Sequence, residues 1–469
     1  MWQRLLERLF SCRSVLKQHE IVGDLPSTKD SYRKAMRIAW PSIVETVLIS
    51  LISAVDTQMV STVGTEAVAA VGLTNQPRFI FLAVFLSFNV GVTAVIARRK
   101  GEKDAVGMNQ TLKQAVVVAI ILSAFLTVIA MFLSRPLMTL AGAQADTLEP
   151  SIQYFRIVMI GAFFSNISLT INAAQRGVGN TRVSMQTNLT ANVVNLVGNF
   201  LLINGIWFFP KLGINGAGIA TSISNVVALS LSLRSILRKD SLLPVRGPAP
   251  WKLEFRTMRS ILDVASSAAA EQLFMRIGFF IYATLVAGLG TAAFATHQIC
   301  MTILNLSYSV GDGLSVAATA LVGQNLGAKR PDLSKLYCEV VQRIALLFST
   351  AIFCIFLFGR HFLVDLFTDD PQIILIGGGL LTIAAFSTHM QTRQVILTGC
   401  LRGAGDTRYT ALVSLFALGF LRPFTAYLFC YPFGCGVYGA WISLFIDQII
   451  RMLLMTFRFR SGKWTLKKL

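Results

Sequence analysis

Charge is scarce in this chain, and acidic charge is scarcest. Lys, Arg, Asp and Glu make up 14% of the residues, and only 23 of 469 are Asp or Glu. A soluble protein carries about 25% charged residues because its surface needs them. The length would suggest about three soluble domains, and so few charges cannot cover three. With 54% hydrophobic residues and a mean hydropathy of +0.62, the composition is that of an integral membrane protein.

Other absences narrow the chemistry. The seven cysteines (Cys12, Cys300, Cys338, Cys354, Cys400, Cys430 and Cys435) form no CxxC pair. Most lie in apolar runs and read as small hydrophobes of a membrane core, not as metal ligands. His297 and His389 stand alone, without metal-ligand spacing. No GK[ST] follows a Gly-rich loop, so nothing points to nucleotide hydrolysis. No Ser-His-Asp order, catalytic Cys/His pair or cluster of catalytic residues at one depth suggests an enzyme. No alternating ten-residue pattern suggests a β-barrel. The first residues, MWQRLLERLFSCRSVLKQ, are no cleavable signal, because charges interrupt any apolar core. They read as a basic amphipathic helix on a membrane surface.

What the sequence does have is apolar length. Twelve stretches approach the ~20 residues needed to cross a ~30 Å hydrocarbon core. They are 38–62, 73–97, 108–133, 150–174, 184–208, 213–235, 261–287, 294–322, 340–359, 372–400, 409–431 and 436–457. A backbone in lipid must satisfy its own hydrogen bonds, so each is expected to be a helix. The 42 basic residues give a net charge of +19, which in a soluble protein would suggest nucleic-acid binding. Their placement decides otherwise. With the N-terminus inside, 31 fall in cytoplasmic segments and three (Arg135, Lys211 and Arg360) in external loops. The excess is an orientation signal that puts both termini in the cytoplasm. Membrane lipids are the expected contacts of the basic segments, and nucleic acid is not an expected partner.

The chain is also duplicated. At a shift of 226 residues, Gly101-Glu-Lys103 matches Gly327-Ala-Lys329, and Arg176-Gly-Val-Gly-Asn-Thr-Arg182 matches Arg402-Gly-Ala-Gly-Asp-Thr-Arg408. Glu45 falls on Glu271, and Gly213-Ile-Asn-Gly-Ala217 falls on Gly436-Val-Tyr-Gly-Ala440. The shift spans six helices, an even number, so the copies are parallel about an axis along the membrane normal. The expected fold is all-α and integral to the membrane, with twelve transmembrane helices in two six-helix lobes. The expected segments are a basic amphipathic start (1–32), an N-lobe (33–238), a cytoplasmic linker (239–256), a C-lobe (257–458) and a basic tail (459–469). Two like lobes suit alternating access.

The Pro41-x-x-x-Glu45 pattern, Val55-Asp-Thr57, the paired RGxG[ND]TR loops and Gly216-Ala-Gly-Ile-Ala-Thr221 resemble the multidrug and toxic compound extrusion (MATE) family. So does the tail Arg458-Phe-Arg-Ser-Gly-Lys-Trp464. The resemblance covers about residues 33–464. It implies a monomeric, cation-coupled antiporter of the plasma (inner) membrane that exports organic, often cationic, small molecules. Its coupling ion would be H⁺ or Na⁺, with no other cofactor and no metal. A flippase for lipid-linked precursors is the alternative reading, and a membrane-embedded enzyme the more distant one.

Ionisable groups within a span cost ~2.5–3.5 kcal/mol by insertion scales and are functional candidates by default. The acids there are Glu45, Asp56, Glu271, Asp312 and Asp447. Asp56 lies 19 residues after Arg37, roughly 28 Å along a helix, in the outer half of its span. It is either a headgroup-zone or kink-capping carboxylate, or one that alternates between a bound cation and a protonated state. The resemblance adds Asn195, Asn199 and Thr221 as its partners. Asn195 and Asn199 lie one helical turn apart, on one face. One family branch commonly has an acid where Asn199 stands, so a single carboxylate favours H⁺ over Na⁺. For these three, interhelical hydrogen bonding is the competing role. In other branches the cation site lies in the C-lobe. Met275 stands near its Glu position and 372–400 has no Asp, so that site is expected to be absent here.

Glu45 and Glu271 either line the substrate cleft or serve as structural acids, each with a nearby Arg. Asp312 and Asp447 are read as buried acids that serve either transport or a structural ion pair, with Arg422 and Arg451 as candidate partners, and Asp312 is also a candidate to line the substrate cleft. Phe88, Phe163 and Phe274 are candidates to hold flat cations in the cleft.

Overall fold

The computed structural model describes residues 11, 16–61, 63, 65–206, 209–238, 241–246, 251 and 254–467. The expected amphipathic helix at the chain start lies almost entirely outside them, as do Cys12 and much of the 239–256 linker. Every regular element among the described residues is helical, and twelve are long. They are α1 (Thr28–Ser61), α2 (Thr65–Gly101), α3 (Ala105–Phe132), α4 (Leu148–Gly177), α5 (Thr181–Asn204), α6 (Gly213–Leu237), α7 (Phe255–Ala287), α8 (Thr291–Gly327), α9 (Pro331–Phe358), α10 (Pro371–Gly403), α11 (Thr407–Cys430) and α12 (Gly436–Arg460).

Ten of these are long and apolar enough to cross a membrane. The exceptions are α5 and α8. Both have the length, since 24 residues of α5 rise about 36 Å. Their composition is more polar: α5 carries Asn188, Asn192, Asn195 and Asn199, and α8 carries Asn305, Ser307, Ser309 and Asp312. Several helices also outrun their apolar stretches. Helix α1 starts at Thr28 and α9 at Pro331, where a proline at the helix start needs no hydrogen-bond partner for its nitrogen. Helix α11 changes pitch midway. Leu415–Leu421 is wound as a π-helix just before Pro423, which has no N–H to offer the turn before it.

The duplication extends to the backbone angles. Lys103 and Lys329, equivalent by the shift, are the two non-glycine residues with positive φ, at 58° and 56°, among the described residues. Gly179 and Gly405 sit at 84° and 82°, and Gly213 and Gly436 both at 54°. In the RGxG[ND]TR turns, Asn180 N donates to Gln175 O and Asp406 N to Leu401 O, both at 2.8 Å. These bonds close the last carbonyls of α4 and α10. Each turn then restarts a helix at once, at Thr181 and Thr407.

The chain divides into two compact units, residues 47–265 (the N unit) and residues 1–46 with 266–469 (the C unit). The helix pairings repeat. In the N unit α4 packs on α2, α3 and α6; in the C unit α10 packs on α8, α9 and α12. The N-unit core joins Phe88, Val92, Ile96, Leu112 and Ile171, and the C-unit core joins Tyr282, Leu304, Leu381, Trp441 and Leu444. The first half of α1 groups with the C unit, where Thr46 Oγ1 donates to Ser309 O at 2.7 Å. Gly313 makes that approach possible, because a Cβ there would meet Ile43 Cα at 2.6 Å. The segment before α1 is tied to the same unit. Lys335 Nζ lies 2.9 Å from Glu20 Oε1, and this donated bond holds Glu20 below the usual carboxylate range.

The αL glycines give a direct test of the turns. Gly405→Ala forces an L side chain to φ 82° and is expected to cost about 1–2 kcal/mol. Thermal unfolding of the purified protein checks it, with Arg408→Lys, at an exposed position beside the same turn, as the control.

Candidate functional site

Asp56 stands five residues before the end of α1, and Asn199 five before the end of α5. Thr221 is eight residues into α6. All three therefore lie toward the same end of the N unit. Asn199 Nδ2 donates to Asp56 Oδ1 at 3.0 Å. With its amide oriented by its partners, Asn195 donates to Asp56 Oδ2 at 3.0 Å and Oδ1 at 3.1 Å and accepts from Thr221 N at 3.2 Å. The four residues named from the sequence thus form one hydrogen-bonded group. Two neutral amides hold the carboxylate. Among the described residues, no Lys or Arg forms an ion pair with it.

The approach of α5 to α6 makes this possible. Gly198 precedes Asn199, and a Cβ there would meet the Ala220 Cβ at 2.9 Å. Small residues facing each other bring two backbones close enough for short polar side chains to meet.

This group opens on a cavity of about 730 Å³ inside the N unit. Its wall carries Asp56, Asn192, Asn195, Asn199, Thr221 and Asn225, joined from α2 and α4 by Arg78 and Tyr154. Reasoning from the sequence missed Arg78, Asn192, Asn225 and Tyr154. Two signals pointed to the first two. Arg78 is a base inside an apolar stretch, and the rule applied to intramembrane acids covers it equally. Asn188, Asn192, Asn195 and Asn199 recur at helical spacing, a polar stripe along α5. Tyr154 carried no such mark.

The other candidates separate into distinct environments. Glu271 is 2% exposed and held by Arg402 Nη2 at 3.1 Å, with Thr410 Oγ1 donating to Oε2 at 3.1 Å and Ser414 Oγ to Oε1 at 3.0 Å. It ties α7 to the first RGxG[ND]TR arginine of its own lobe, which is the structural alternative. Glu45 is buried in the C unit. Asp447 takes both candidate arginines, Arg422 at 2.5 Å and Arg451 at 2.8 Å, and all three are buried. The expectation of one of those arginines as the partner of Asp312 is corrected: both pair with Asp447, Arg451 from one helical turn away on the same helix and Arg422 from α11, and the Asp312 side chain is accessible. Phe88 is also corrected. It is 4% exposed and belongs to the N-unit core with Val92 and Leu112, because its face of α2 meets α3 and α4. Phe163 packs against the same core, and Phe274 is half-buried on α7. His297 is a core histidine, ringed by Tyr282, Phe294 and Trp441.

Comparison with known proteins agrees with the repeat. The MatE family model matches residues 41–201 and again 268–428, once in each copy. The chain belongs to the MatE family. Among its relatives, the "Probable multidrug resistance protein NorM" of Thermotoga maritima is 27% identical, over 92% of this chain and 93% of its own length. The "Multidrug resistance protein PmpM" of Pseudomonas aeruginosa is 26% identical, over 82% and 81%. A solved structure described as an outward-facing multidrug resistance MATE family transporter superposes with a TM-score of 0.86 at 21% identity, covering 92% of this chain and 97% of that one. MatE membership makes this chain a multi-pass membrane transporter.

Two substitutions separate support from structure. Asn199→Ala removes a donor from a carboxylate and is expected to cost about 1.5–3 kcal/mol in thermal unfolding. Glu271→Gln leaves Arg402 without its counter-charge, so it should lower the melting temperature in the same assay. A Glu271→Gln protein as stable as wild type would return that acid to the list of substrate ligands.

Proposed function

We propose that this MatE protein exports organic compounds, cationic drugs among them, across the plasma (inner) membrane in exchange for protons, with both termini cytoplasmic. Asp56 is the coupling group. The observation that carries the reading is a carboxylate held, among the described residues, only by neutral amides in the wall of a cavity large enough for a drug-sized molecule, typically ~300–1,000 Å³.

The amides suit a group that changes charge. A carboxamide donates from nitrogen to an ionised carboxylate and accepts at oxygen from a protonated one. Asn199 has its Oδ1 buried and without a hydrogen-bond partner beside Asp56. Turning that amide over serves the protonated acid without stranding a charge. A proton arriving from outside would remove the negative charge and release a bound cation; losing the proton inside would restore it. The lone carboxylate favours H⁺ over Na⁺, which takes several oxygen ligands of higher charge. The names of the Thermotoga and Pseudomonas relatives, and the basic residues in inward segments, support the substrate class and the orientation.

The test uses proteoliposomes with H⁺ and Na⁺ gradients imposed separately. A pH gradient alone should drive export of an ethidium-like cation, and Asp56→Asn, an isostere, should abolish it. Full ΔpH-driven export by Asp56→Asn would sink the proposal; drive by a Na⁺ gradient alone would replace the coupling ion.

A further inference from the structure

Coupling at Asp56 leaves the second charge in the same cavity without a task. Arg78 follows Pro77 inside α2, where a base is as expensive as an acid. It shares the cavity wall with Tyr154, whose hydroxyl lies within electrostatic range of both Arg78 and Asp56. A neutral phenol cancels no charge. Asp56 does not neutralise it either, because the partners of Asp56 are Asn195 and Asn199. The remaining polar wall residues are neutral Asn, Ser and Thr. With Asp56 ionised, the cavity therefore presents one negative and one positive group that do not touch each other, facing about 730 Å³ of space.

That arrangement discriminates by charge pattern. A simple cation satisfies Asp56 but shares the cavity with a like charge. A simple anion satisfies Arg78 but meets the charge of Asp56. A molecule carrying both signs meets both groups in one pose. Guanidinium also prefers carboxylate among anions, since its planar fork makes two parallel N–H···O bonds.

We propose that this cavity selects zwitterionic organic substrates, with the cationic end toward Asp56 and the carboxylate on Arg78, so that Arg78 is a specificity-determining residue. The inference rests on the reading of this cavity as the transport site. It also refines release: protonating Asp56 frees the cationic end while Arg78 still holds the other, so the substrate leaves cationic end first.

Binding, not transport, tests it. Three fluorescent probes share one dye and differ in charge: Nε-dansyl-lysine is a zwitterion, dansylcadaverine a cation and dansylaminohexanoate an anion. Each is titrated into the purified full-length protein in nanodiscs, with empty nanodiscs subtracted. Wild type should bind the zwitterion about tenfold more tightly than either single-charge probe. Arg78→Gln should weaken zwitterion binding about tenfold and leave dansylcadaverine unchanged or improved, while Arg78→Lys should retain part of the preference. Equal affinities in wild type, absence of binding by all three, or an Arg78→Gln protein with wild-type zwitterion affinity would each overturn the proposal. The wild-type comparison needs no variant to fold. Failure of ΔpH-driven export would count against the antiport reading and leave the binding preference standing.

Discussion

A peptide N–H or C=O left open in hydrocarbon costs several kcal/mol, and a long apolar chain avoids that cost only by closing each bond within its own segment. Everything regular in the described residues follows from this demand. The spans are helices, and the turns between them are short and stereotyped. Positive φ at Lys103, Gly179, Lys329 and Gly405 closes the last carbonyls of one helix before the next begins. The same solution recurs at the same place in both copies because both copies meet the same demand.

The demand falls equally on side chains, and the acids show three ways of meeting it. Asp447 is enclosed by two arginines, and Glu271 is joined to Arg402 with two hydroxyls. Asp56 is held by amides. The difference sets how much each acid loses when its charge is removed. Neutralising Asp447 strands two buried guanidinium groups, a change that costs several kcal/mol, and neutralising Glu271 takes the counter-charge from half-buried Arg402. Neutralising Asp56 strands no ion-paired base, because its partners are dipoles that can turn. Among these three, the acid without an ion pair is the one on which the proposed antiport rests.

Much of this was legible before any coordinates. The apolar stretches marked the spans, although α5 and α8 are too polar to pass as spans by composition. The polarity of α5 is itself informative, since its Asn192, Asn195 and Asn199 line the cavity. The repeat announced the paired turns and the pairing of helices within each unit. The Asp56 group was legible through a resemblance and a one-turn spacing. Phe88 was not, because an aromatic ring in an apolar helix looks the same whether it meets lipid, core or cavity. Arg78 was visible as a base inside a span, yet nothing in its neighbours told that it shares a wall with Asp56.

The sequence by itself determined the class, the number and order of the helices, the duplication and the asymmetry of basic charge between alternate loops. These depend on composition and on position along one dimension, where water and hydrocarbon differ sharply. Only the tertiary structure decided which face of each helix looks inward, which acids meet arginines and which meets a cavity. In water a helix declares its buried face by its apolar stripe. In lipid the outside is as apolar as the inside, so the rotation of each helix is set by small residues such as Gly198 and Gly313 and by the polar groups that find each other across them.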